Sequence, residues 1–102
     1  MIKGISDLDY NDARKLLTAI IERTKDEQEA LRLESEEKKI EILKHEYRKR
    51  LSEGRHAQME QEKAIEACNR RMQEIEDEIF ALADRKNYFE IQLEMLGARR
   101  EA

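Results

Sequence analysis

Proline and tryptophan are absent from this sequence, cysteine occurs once and glycine three times. Each scarcity excludes something. An internal proline costs a helix about 3 kcal/mol, so its absence leaves long helices uninterrupted. It also argues against disorder, because disordered chains are usually proline-rich. A phosphate-cradling loop needs several glycines close together, and Gly4, Gly54 and Gly97 stand alone. The single Cys68 excludes an intramolecular disulfide and a cysteine-only metal site, and a lone thiol suits a reducing cytosol. Aromatic residues are 5% of the chain, too little bulky apolar surface for a sizeable globular core. Long hydrophobic runs are missing as well. The longest, Ile79 to Ala83, falls far short of the roughly 20 residues of a membrane span. The start, Met1-Ile2-Lys3-Gly4-Ile5-Ser6-Asp7, has no apolar core of the signal-peptide kind. The expectation is a cytoplasmic protein with no membrane partner.

Charge is what the sequence has in abundance. Charged residues make up 43% of its 102 positions, against roughly 25% in an ordinary domain. The 20 basic and 24 acidic residues are interspersed and leave a net charge of −4. This pattern belongs to the solvated faces of long helices, and no overall basic balance advertises nucleic acid.

Residues 1–8 read as a flexible lead-in. Asp9 is placed to cap a helix, with Asn11 and Asp12 in its first turn. The next strong stop is Gly97, which follows Met95-Leu96 and precedes Arg99 and Arg100, a pattern that predicts a C-cap and a frayed tail over 98–102. Gly54 interrupts the region between. It divides a coiled-coil domain, 9–97, into a helix over 9–52, a turn over 53–55 and a helix over 56–97. Each arm would be roughly 60–65 Å long at 1.5 Å per residue.

The second arm carries the clearest signal. Ile65, Cys68, Met72, Ile75, Ile79, Leu82, Phe89, Leu93 and Leu96 recur at strict 3-4 spacing, with Lys86 the single polar residue in the frame. A helix wound to 3.5 residues per turn keeps such a stripe on one side, where it must face another helix. The first arm has two candidate stripes. One runs through Ala13, Leu17, Ile20, Thr24, Leu31 and Ile42, the other through Leu33, Ile40, Tyr47 and Leu51. Between Glu22 and Lys39 only Ala30, Leu31 and Leu33 are apolar, so this arm needs a partner to be stable.

The expected fold is all-α, and two architectures compete. The preferred one is a long antiparallel helical hairpin turning near Gly54. It sets Leu17 opposite Ile91 and Leu93, Ile20 opposite Phe89, Leu31 opposite Ile79, and Ile42 opposite Cys68. The alternative is one continuous helix in a parallel two-stranded coiled coil. Its support is phase: the frame of the second arm, extended backwards, lands on Tyr47, Ile40 and Leu33. Against it, that frame puts Glu37, Lys44, Gly54, Gln58 and Gln61 in the seam. It also sets Glu29 against Glu34, Glu36 against Glu41 and Arg50 against Arg55. In either form the chain is expected to self-associate, because a structure this thin buries little.

Residues that could carry chemistry are few. Ser6, Ser35, Ser52 and Cys68 lie in no Gly-flanked nucleophile turn, and Cys68 sits on the apolar stripe as a small core residue. Glu53 and His56 match the Glu-x-x-His pattern of di-iron bundles, but such sites need a second copy and two further carboxylates. No cofactor, metal site or enzymatic activity is expected. The best functional lead is the basic segment 44–56, in which Lys44, Arg48, Lys49, Arg50 and Arg55 are opposed only by Glu46 and Glu53. It is a candidate contact for phosphate or an acidic partner, although a merely solvated end is the simpler reading. The sequence therefore predicts a non-enzymatic protein–protein interaction module that binds itself as a homodimer or higher oligomer, and also another protein. The adaptor, scaffold, chaperone-like and inhibitory classes all fit. Tyr88, Ile91 and Met95, off the main seam, are candidates for a second interface. The alternative function is nucleic-acid association through segment 44–56.

Overall fold

The computed structural model describes residues 9–101. The lead-in expected over residues 1–8 lies outside them. The described chain forms two helices, α1 (Tyr10–Leu51) and α2 (Arg55–Glu101), and no strand. It is an all-α helical hairpin.

The start of α1 is capped by Asp9. Its Oδ1 accepts the Asp12 N–H at 2.8 Å, and its carbonyl accepts the Ala13 N–H at 3.0 Å. The first bond satisfies one of the four donors that a helix start leaves unpaired, and the second is the first intrahelical bond. At the other end, Arg48, Lys49 and Arg50 crowd the last turn, where the helix dipole favours cations. Ser52 closes that turn. Its N–H donates to the Lys49 carbonyl at 3.2 Å, and its hydroxyl donates to the Arg48 carbonyl at 2.7 Å.

Gly54 then reverses the chain with φ at +92°, a backbone region that L side chains rarely adopt. Its carbonyl accepts the Gln58 N–H at 3.3 Å and opens α2, while the Gln58 amide reaches back to the Ser52 carbonyl at 3.3 Å. The continuous-helix alternative is thereby excluded. Gly97 behaves differently from the expected cap. It has no positive φ, and α2 runs past it to Glu101, so residues 98–101 are helical.

The helices divide into two compact units. In the turn unit, Glu29–Ile79, α1 and α2 lie antiparallel on either side of Gly54. Ile75 is fully buried there and Cys68 is buried. Leu31, Ile42, Ile65, Met72 and Ile79 are half-buried. In the terminal unit, residues 9–28 with 80–101, Leu17, Ile21 and Phe89 form the core, and Ile20, Leu93 and Leu96 pack against it. Fully burying a side chain such as Leu17 is worth about 1.5–3 kcal/mol. Ala13 and Thr24 are buried beside this core. Thr24 satisfies its hydroxyl within its own helix, donating to the Ile20 carbonyl at 2.8 Å.

Candidate functional site

The inward face of α2 is lined by the 3-4 stripe. In the turn unit Ile65, Cys68, Met72, Ile75 and Ile79 are buried or half-buried, and in the terminal unit so are Leu82, Phe89, Leu93 and Leu96. The inward face of α1 in the turn unit is far more polar. Ser35, Lys38, His45 and Lys49 are half-buried on it alongside Leu31 and Ile42. Polar groups held between helices need partners; His45 and Lys49 find theirs across the pair, and Lys38 binds Glu41 on its own helix at 3.3 Å.

Arg71 is the centre of this polar layer. Its Nε and Nη2 bind the two Glu34 oxygens at 2.6 and 2.9 Å, a bidentate bridge from α2 to α1. Its Nη1 also reaches Glu74 at 3.3 Å and Glu78 at 3.4 Å. The Glu34 hydrogen bond holds the guanidinium more firmly protonated than usual, and the Arg71 hydrogen bonds hold the Glu34 carboxyl below the ordinary carboxylate range. Both side chains keep about a third of their surface in water (31% and 34%). The pair therefore fixes register more than it adds stability.

Nearer the turn three further links cross the helix pair. The Cys68 thiol donates to Glu41 Oε2 at 3.4 Å, His45 Nδ1 lies 2.7 Å from Gln61 Oε1, and Lys49 Nζ lies 2.8 Å from Glu62. Cys68 sits against Glu41, one residue from the Ile42 that the expected hairpin register set opposite it. Burial, with the Glu41 carboxylate beside it, pushes the thiol pKa up. An activated nucleophile needs the opposite shift.

The basic segment is split by the fold. Lys49 is half-buried and committed to Glu62. Lys44, Arg48, Arg50 and Arg55 are exposed, and their side chains have no ion-pair partner among the described residues. The open groove beside them, lined by Glu46, Lys49, Arg50, Gln58, Glu62, Ile65 and Glu66, carries three carboxylates, which weakens it as an anion cradle. Among the described residues no group of three or more His, Cys, Asp or Glu side chains could hold a metal ion.

Two apolar surfaces face water instead of the seam. On α1 of the turn unit, Leu33, Ile40, Leu43, Tyr47 and Leu51 are 49–65% exposed. At 100° per residue they cluster on the side of α1 opposite Leu31, Ile42 and Lys49. Leu33, Ile40 and Tyr47 among them are residues that a continuous helix would have placed in its core. On α2 of the terminal unit, Phe80, Tyr88, Ile91 and Met95 are 42–71% exposed, opposite Leu82, Phe89 and Leu96. The sequence singled out Tyr88, Ile91 and Met95 but missed Phe80. Its signal was its position eleven residues before Ile91, three helical turns along the same face. No helix of the described chain is long and apolar enough to cross a membrane.

Comparison with protein-family models, with curated proteins and with solved structures finds no match to this chain.

Proposed function

We propose that this chain is a non-enzymatic coiled-coil interaction module, acting in the cytoplasm as an adaptor, scaffold, chaperone-like or inhibitory protein that binds itself and another protein. The observation that carries the reading is the pair of water-facing apolar stripes. Single exposed hydrophobics are ordinary on any surface, but a row of them along one helix face is what a partner helix or groove would cover. Aromatic and Met side chains such as Phe80, Tyr88 and Met95 are the types enriched in interface cores.

The test is capture from native extract on the immobilised full chain, with the variant Ile91→Asp/Met95→Asp as comparison. A protein retained by the wild type and lost with the variant is expected. Equal retention by both would remove the α2 face from the reading.

Nucleic-acid association is the second reading. Lys44, Arg48, Arg50 and Arg55, exposed and without an ion-pair partner among the described residues, favour it. Glu46, Glu53, Glu62 and Glu66 near them and the net charge of −4 weigh against it. A gel-shift at low salt with no retardation at micromolar protein rejects it.

A further inference from the structure

The outward face of α1 in the turn unit differs from the rest of the surface in three ways. Its apolar side chains, Leu33, Ile40, Leu43, Tyr47 and Leu51, form one continuous stripe. It is more apolar than the inward face of the same segment, which carries Ser35, Lys38, His45 and Lys49. Its flanks are also electrically polar from end to end. Glu36 and Glu37, with Lys39 beside them, border the stripe towards the Leu33 end, and Lys44, Arg48 and Arg50, with Glu46 among them, border it towards the Leu51 end. Glu36 is bound to Arg32 at 3.0 Å. Glu37, Lys44, Arg48 and Arg50 have no ion-pair partner among the described residues.

A face that is predominantly acidic towards one end and basic towards the other is complementary to itself when turned end for end, and Lys39 and Glu46 then fall opposite each other as well. We infer that it is a homodimer interface, in which the α1 stripes of two copies pack antiparallel about a two-fold axis level with Ile42. This names a partner and a surface for the interaction module proposed above, and rests on that reading. In this register Leu33 of one copy meets Leu51 of the other, and Ile40 meets Leu43 and Tyr47. Antiparallel pairing brings like flanks together, so Glu37 faces Arg48 and Glu36 faces Arg50. Each contact occurs twice, as an isologous interface requires. A parallel arrangement of the same faces would set the carboxylates against one another and the cations likewise, which is strongly disfavoured. The result is a four-helix assembly over this part of the molecule, with the polar Arg71–Glu34 layer inside each copy and an apolar seam between copies.

The experiment is mass determination of the full chain by sedimentation equilibrium, with helicity followed by circular dichroism. The wild type is expected to be a dimer. Ile40→Glu/Tyr47→Glu is expected to be monomeric with helicity retained, because both side chains face water within one hairpin. Phe80→Glu/Ile91→Glu is expected to remain dimeric. Charge variants carry the test independently of folding at the apolar positions. Glu36→Lys/Glu37→Lys alone and Arg48→Glu/Arg50→Glu alone should each weaken dimerisation by at least about tenfold. All four changes in one chain should restore it, and that chain should not mix with wild type. Parallel pairing predicts the opposite for mixing, since each reversed charge would then face its original. A monomeric wild type, a dimer indifferent to Ile40→Glu/Tyr47→Glu, or free mixing of the four-charge variant with wild type overturns the inference. Partner capture sensitive to Ile91→Asp/Met95→Asp would survive any of these results, so the two readings fail separately.

Discussion

Individual residues in this hairpin do one of two jobs, filling the thin seam or locking its register. Ile75 does the first. It is fully buried in the turn unit, where the neighbouring inward positions of α1 are largely polar. Ile75→Ala is expected to lower stability by about 2–4 kcal/mol, read from urea unfolding followed by circular dichroism. A loss below roughly 0.5 kcal/mol would place Ile75 with surface positions. Glu34 does the second. Its pKa is depressed by Arg71, so the bridge contributes fully above the unfolded carboxylate value of about 4.3. The contribution is lost as pH falls through that value towards the lower folded pKa. The melting temperature of Glu34→Gln should therefore lie below that of wild type at neutral pH and converge with it in acid. A gap that stays constant with pH would show that Glu34 acts through something other than its charge. The Arg71–Glu34 pair was invisible beforehand, because neither residue forms a sequence motif and the bridge exists only once the hairpin sets its register.

At the scale of elements, the two interior glycines look alike in sequence and act oppositely. Gly54 has φ at +92° and Gly97 is helical, yet a Cβ at either would meet nothing within 4 Å. Sterics with neighbours therefore play no part, and the backbone alone sets the sign. Gly54→Ala should destabilise by about 1–2 kcal/mol, the cost of holding an L residue at positive φ. Gly97→Ala should stabilise by somewhat less than the roughly 1 kcal/mol gained in a helix interior, since it lies near the end of α2. Stabilisation by Gly54→Ala, measured in the same urea titrations, would mean that the chain runs through that position as a helix. The apolar pair and trailing arginines around Gly97 mimic a C-cap, but a cap requires the left-handed conformation, which composition does not specify.

For the whole molecule, the governing quantity is how little is buried. Among the described residues the buried hydrophobic side chains are Ala13, Leu17, Ile21, Cys68, Ile75 and Phe89. A core of that size is marginal against the conformational entropy of ordering two helices of 42 and 47 residues. The self-association proposed above would add the missing burial and link stability to concentration by mass action. The melting temperature should consequently rise from dilute to concentrated samples. A melting temperature independent of concentration over two decades would show that each hairpin is stable unaided.

Helix content, the buried stripe of α2 and the Asp9 cap could all be read from the sequence. They are local properties: a 3-4 spacing, a capping acceptor and an absence of breakers act within one turn of the chain. The sequence also showed both apolar stripes on α1 and preferred the hairpin that puts the first of them in the seam, without deciding between them by periodicity. Two stripes on opposite sides of one helix have the same period, so periodicity cannot rank them. The phase that carried Leu33, Ile40 and Tyr47 into a continuous seam holds only while the chain stays helical through Gly54. Once Gly54 turns, α1 meets α2 in a new register, Leu17, Ile21 and Thr24 face inward, and the second stripe is left on the water side. That choice belonged to the tertiary structure, because it depends on contacts between segments far apart in the chain.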